Sequence, residues 1–105
     1  MDGLYVVTIE ALPEPGSDNA QSYGGAFINI YTTDQTESAA LETAGREVAD
    51  AGWRSRTVEG IEYVTREDFD DDAEDLAYFE QAQLDGIVLV VHTYPHGPDE
   101  DDVRH

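Results

Sequence analysis

Apolar positions along the chain change their spacing from two to about 3.6 and back, the signature of strands alternating with helices. Leu4-Tyr5-Val6-Val7-Thr8-Ile9 is rich in β-branched and aromatic residues and reads as a strand ending before Pro13. Pro13 to Asn19 is turn chemistry, closed by Gly24-Gly25. From Ala26 to Thr32 strict alternation puts Ala26, Ile28 and Ile30 on one face and Phe27, Asn29 and Tyr31 on the other, with Ile28 and Ile30 predicted to enter the core. Asp34 and Glu37 have capping-box spacing, and Leu41, Ala44, Val48 and Ala51 then recur at helical intervals. Glu42 and Arg46 form a favourable i,i+4 pair on this helix, and Gly52 is its natural stop.

Trp53 to Thr65 reads as extended chain with two alternatives: a hairpin turning at Glu59-Gly60, or one long strand with a bulge at Gly60. The acidic stretch Glu67 to Asp75 leads into a helix beginning near Ala73, with Asp72 and Asp75 as capping carboxylates and Leu76, Phe79 and Leu84 as its buried side, ending at Asp85-Gly86. Ile87 to Val91 is apolar at every position, which predicts a central strand covered on both sides; His92-Thr93-Tyr94 follows and Pro95 ends it. The order β-β-α-β(β)-α-β predicts an α+β fold: a two-layer sandwich with a mainly antiparallel sheet and two helices on one face, ferredoxin-like with an extra N-terminal strand. Residues 1–95 form the single expected domain, and 96–105, with Asp99-Glu100-Asp101-Asp102, an acidic tail.

The 105 residues leave room for one domain with a modest core. Cysteine is absent, which excludes disulfides, thiolate nucleophiles and cysteine-ligated metals. Met1-Asp2-Gly3 runs directly into a strand without a basic flank or a small-residue cleavage site, and no apolar run has the roughly 20 residues of a membrane span; the expectation is a soluble, cytoplasmic protein.

Charge narrows the partners. Against 24 acidic residues stand five basic ones, for a formal net charge of -19. Binding to nucleic acid through phosphates, or to an anionic membrane surface, needs clustered Lys and Arg and is excluded. There is no lysine; Arg46, Arg54, Arg56, Arg66 and Arg104 carry all the fixed positive charge. Three readings of this balance differ in class: a halophilic adaptation that keeps the surface hydrated in high salt, an ordinary acidic protein in an arginine-biased genome, or an acidic surface that captures a basic partner, as inhibitors and immunity proteins do.

No catalytic motif emerges. There is no glycine-flanked nucleophile and no phosphate-cradling glycine loop. Asp68, Asp70 and Asp72 have the alternate spacing of a calcium loop, but Ala73 and Phe79 stand where an EF-hand needs glycine and a bidentate glutamate. His92, His96 and His105 lack the spacing of a helical metal motif. No metal or other cofactor is implied. Glu80 lies between Leu76 and Leu84 on an i, i+4, i+8 stripe, where burial would raise its pKa and suit it to acid–base work. Arg54 and Arg56 share a strand face, and with Arg66 they are candidates to pair with nearby carboxylates. If Ile87, Leu89 and Val91 face the helices, Val88, Val90, His92 and Tyr94 share the opposite sheet face with Phe27, Asn29 and Tyr31, an aromatic-edged candidate binding face.

The segments Val64-Thr65-Arg66-Glu67-Asp68, Tyr78-Phe79-Glu80-Gln81-Ala82, Asp85-Gly86 and His92-Thr93-Tyr94-Pro95 resemble a set of small acidic prokaryotic proteins. The resemblance implies the fold order and no activity. The functional expectation is therefore a nonenzymatic acidic protein-binding domain, either a homodimer or a binder of a basic partner. The rival is a small-molecule-binding protein or simple enzyme using His92, Tyr94, Tyr31 and Glu80.

Overall fold

Residues 3–69 and 73–95 are described by a computed structural model of the chain. The element order is β1 (Leu4–Pro13), α1 (Asp18–Ser22), β2 (Gly25–Thr32), α2 (Glu37–Asp50), β3 (Trp53–Val64), a 3-10 turn (Arg66–Phe69), α3 (Ala73–Asp85) and β4 (Ile87–Tyr94). The strands make one antiparallel sheet in the order β3-β1-β2-β4, an α+β architecture. β2 and β3 both run antiparallel to β1, which lies between them, and α2 connects them across one face. The loop expected before β2 contains the short α1, opened by Ser17, whose hydroxyl accepts from the Ala20 N–H at 3.2 Å.

Local chemistry sets the ends of α2. Thr36, with an extended backbone, is its N-cap and accepts from the Ala39 N–H at 3.1 Å. Asp34 is not the cap that the capping-box spacing predicts: its carboxylate accepts from the Thr32 hydroxyl at 2.7 Å, which holds the approach to the helix instead. Gly52 follows the helix at φ +91°, a left-handed conformation that glycine adopts without the Cβ clash other residues meet. α2 buries Ala40, Ala44 and Val48, while Leu41 is exposed. Small side chains let the helix lie close on the sheet, where Val7, Ile9, Ile28 and Ile30 are fully buried against it. Burial of each such branched side chain contributes roughly 1.5–3 kcal/mol.

The helices cover opposite faces, which corrects the two-layer sandwich. α2 packs on the face of Val7, Ile9, Ala11, Ala26, Ile28 and Ile30. α3 and the 3-10 turn pack on the other, where Leu4, Tyr31, Val64, Phe79 and Ala82 form a second buried cluster with Phe69, Tyr78 and Val88 around it. Trp53 to Val64 is one strand, with ladder shifts between Thr8 and Ile9 and between Glu10 and Ala11, so the bulge alternative holds over the hairpin. Without that hairpin the second strand pair of a ferredoxin-like order does not exist, and β1 is an interior strand rather than an addition.

Two further corrections concern the C-terminal half. β4 has the apolar composition of a central strand but lies at the sheet edge. Both of its faces do contribute to packing, Ile87 and Leu89 on the α2 side and Val88 and Val90 on the α3 side, which accounts for the uninterrupted apolar run. In α3 the buried stripe runs through Leu76, Phe79 and Ala82, at intervals of three; Leu76 and Phe79 are on the expected buried side, Leu84 is not, and Glu80 does not lie between two core leucines. Phe79 is wholly buried and Leu84 is 82% exposed, because the larger aromatic surface decides the rotation of the helix about its axis. The expected capping role of Asp72 and the acidic tail at 96–105 lie outside the described residues.

Candidate functional site

Register brings the predicted face residues together in rows. On the α3 side of the sheet His92, Phe27, Glu10 and Thr57 form one row, Val90, Asn29, Thr8 and Gly60 the next, and Val88, Tyr31, Val6 and Glu62 a third. Tyr94 lies opposite Gly25 at the end of the same face. All seven candidates therefore share a face, but not one environment.

α3 divides that face into halves. Tyr31 is 4% exposed, with the rings of Tyr78 and Phe69 at 6.0 and 6.4 Å, and Val88 is part of the same cluster. These two are core. Phe27 is 41% exposed, His92 is exposed, and Asn29, Val90 and Tyr94 are half-buried, so the end of the face beyond the helix is open to solvent.

Polar contacts organise the open half. The Thr8 hydroxyl donates to Asn29 Oδ1 at 2.8 Å, fixing the middle row. The Tyr94 hydroxyl reaches over β2 and donates to Glu10 Oε2 on β1 at 3.0 Å, and the Arg56 guanidinium on β3 lies 3.8 Å from the same oxygen. Gly25 makes this reach possible: a Cβ there would lie 2.3 Å from the Tyr94 hydroxyl oxygen. Burial pushes the Tyr94 phenol above its ordinary value of 10.0; the hydrogen bond to Glu10 and that carboxylate's charge add to the rise, and Arg56 opposes it. Phe27 packs beside Tyr94 with ring centroids 5.7 Å apart.

Between the open half and the 3-10 turn lies a groove of about 260 Å³ lined by Val6, Thr8, Asn29, Tyr31, Glu62, Val64, Asp68 and Phe69. Its apolar walls are Val6, Val64 and Phe69, and its charges are the carboxylates of Glu62 and Asp68, with no basic residue among the lining. Asp68 is positioned by its own turn, accepting from the Thr65 N–H at 2.8 Å. Sequence reasoning passed over Glu62, Asp68 and Glu10 as a set. The signal available was the alternation of β3, but the bulges put Glu62 in register with Val6 only once the ladder is known. A second depression, of about 380 Å³ and lined by Gly3, Thr33, Asp34, Gln35, Tyr63 and Gln83, has no part in these rows.

Glu80 is not a desolvated acid. It is exposed on α3 and pairs with Arg66, whose guanidinium also lies 5.8 Å from the centre of the Phe79 ring. Of the rival constellation, then, Tyr31 is core, Glu80 lies on the solvent side of the helix, and only His92 and Tyr94 share the open surface. Arg56 is the arginine placed against Glu10; Arg54 stands in register with Leu12, further along the same face of β1 and across the shift between Glu10 and Ala11. Among the described residues no group of three or more His, Asp or Glu side chains is placed to hold a metal ion, and no helix is long and apolar enough to cross a membrane. Asp70, Asp72, His96 and His105 lie outside the described residues. No protein-family model, no curated protein and no solved structure matches this chain.

Proposed function

We propose that the protein acts by binding a basic polypeptide, and that a Lys or Arg side chain of the partner enters the groove between β3 and the 3-10 turn. The observation that carries this reading is the pairing of Glu62 and Asp68 over apolar walls, beside an exposed aromatic surface at Phe27. A long cationic side chain has matching parts: its aliphatic stem lies along Val6, Val64 and Phe69 while its head is held by carboxylates. Phe27, Val90, His92 and Tyr94 then offer the partner an apolar and aromatic contact area of the kind enriched at interfaces. The overall charge of -19 adds long-range attraction for a basic partner and repels acidic ones.

Immobilised protein at low salt, compared with Glu62→Gln/Asp68→Asn and with Phe27→Asp, tests the proposal. The amide introduced by Asp68→Asn keeps an acceptor oxygen for the Thr65 N–H, so the turn is preserved. A bound polypeptide that is basic, that elutes with salt, and whose affinity falls roughly tenfold or more in both variants is the expected result. An identical set of bound proteins on wild type and variants would overturn it.

A further inference from the structure

β4 has the composition of an interior strand at the edge of the sheet. Ile87–Tyr94 contains no Asp, Glu, Lys, Arg, Pro or Gly, and its register with β2 runs without a shift from Thr32 opposite Ile87 to Gly25 opposite Tyr94. The other edge is built differently: β3 carries Arg54, Arg56, Glu59 and Glu62, includes Gly60, and its ladder shifts twice. Charges and bulges are what keep sheet edges from pairing. Among the described residues, one edge of this sheet is blocked by such devices and the other has none of them.

Alternation identifies the outward-pointing groups. The Thr33 N–H donates to the Gly86 carbonyl at 3.1 Å, just before β4 begins. Counting from that bonded position along an unshifted antiparallel ladder, Val88, Val90 and His92 bond to β2, while Ile87, Leu89, Val91 and Thr93 direct their N–H and C=O groups away from the sheet.

We infer that β4 pairs antiparallel with β4 of a second copy, joining the two sheets into one continuous sheet. The strand is self-complementary about Val90. That register sets Leu89 opposite Val91 of the second copy and Ile87 opposite Thr93 of the second copy, so every outward amide is used, for about eight backbone hydrogen bonds. It also sets Val88 opposite His92 of the second copy, and places no like charges opposite one another. Charge favours a second copy at this place above others: a chain of -19 repels its own kind, and the uncharged strip of β4 is where two copies meet with no carboxylate between the strands. Val91, 41% exposed on the α2 side, gains cover from Leu89 of the second copy. The two-fold axis stands perpendicular to the sheet, so both carboxylate grooves face the same side and the dimer is bivalent. This surface is distinct from the groove, and either one can fail without the other.

Sedimentation equilibrium and amide exchange on the full chain test the inference. The wild type is expected to dimerise, roughly tenfold or more tightly in molar than in low salt, because screening relieves the repulsion; capture of a basic partner has the opposite salt dependence. Val91→Pro removes an outward N–H and leaves the ladder to β2 intact, so it is expected to be a folded monomer, while Val91→Thr stays dimeric. In the wild-type dimer the amides of Leu89 and Val91 are expected to exchange as slowly as those of Val88 and Val90. Three outcomes would overturn the inference: a monomer at all salt concentrations up to about 1 mM protein, a Val91→Pro variant that remains dimeric, or outward amides that exchange fast in a wild-type dimer. Should Val91→Pro fail to fold, the amide pattern of the wild type decides alone.

Discussion

Replacing Gly25 by alanine tests whether the Tyr94 ring crosses β2 to reach Glu10. The added Cβ would lie 2.3 Å from the Tyr94 hydroxyl oxygen, 2.5 Å from its Cζ and 2.9 Å from the carbonyl oxygen of Ala11. The ring is the far end of a side chain and can swing away; the Ala11 carbonyl belongs to the ladder and cannot. Swinging away breaks the 3.0 Å hydrogen bond to Glu10 and the 5.7 Å contact with Phe27. A hydrogen bond to a partly exposed carboxylate contributes about 1 kcal/mol, below the range for fully buried charged acceptors, and the ring pair contributes about 0.5–1.5 kcal/mol. Against this, alanine has less unfolded-state entropy to lose than glycine, worth roughly 0.4–1 kcal/mol. With the residual clash at Ala11 the net cost is about 1–2 kcal/mol, which for a domain of this size lowers the Tm by about 5–15 °C. Thermal denaturation of Gly25→Ala, Tyr94→Ala and the double variant measures it. The expected outcome is strong coupling, with Gly25→Ala costing much less once the ring has been removed. A Gly25→Ala protein as stable as wild type, or strict additivity in the cycle, would refute the crossing geometry.

Three other outcomes are expected. Phe79→Ala loses about 3–5 kcal/mol by leaving a cavity under α3, whereas Leu84→Ala stays within about 0.5 kcal/mol; equal costs in chemical denaturation would show that the helix is rotated otherwise. The Tyr94 phenol, raised by burial and by Glu10, binds its proton more tightly in the folded than in the unfolded chain, so its contribution to stability is complete below the ordinary value of 10.0 and is lost as pH climbs through the raised value. Phenolate absorbance should show the titration of Tyr94 above its ordinary value, and Glu10→Gln should move it back toward 10.0; no change on that substitution would remove Glu10 as a cause. Raising salt from 0.1 M to 1 M shortens the Debye length from about 10 Å to about 3 Å, so the Tm should rise if the charge of -19 is held against self-repulsion, and an unchanged Tm would rule out salt adaptation as its reason.

Periodicity made much of the fold legible. Ile28 and Ile30 enter the core, Ala44 and Val48 line the buried face of α2, and Gly52 ends that helix. Those readings depend on neighbours within a turn or a pleat, where spacing determines direction. Features set by distant partners were not legible. β4 read as central because its two faces are apolar, and periodicity reports faces, not edges. Phe79 was expected on the buried side of α3, but so was Leu84, and only the packing of the helix on Tyr31 and Phe69 leaves Leu84 in solvent. The shared face of Phe27, Asn29, His92 and Tyr94 followed from alternation, but the cover over Tyr31 and Val88 came from a helix that alternation says nothing about. The groove was hidden for the same reason: Glu62 and Asp68 are close only because the bulged β3 ends beside the 3-10 turn.

Binding through the open half of the α3-side face is tested most directly by a photoreactive amino acid at Phe27 in the producing cell, with the same residue at the exposed Glu42 of α2 as control. Covalent capture of a basic polypeptide from position 27 and not from position 42, abolished by Glu62→Gln/Asp68→Asn, is the expected result. No adduct at position 27, or equal adducts at both positions, would contradict it.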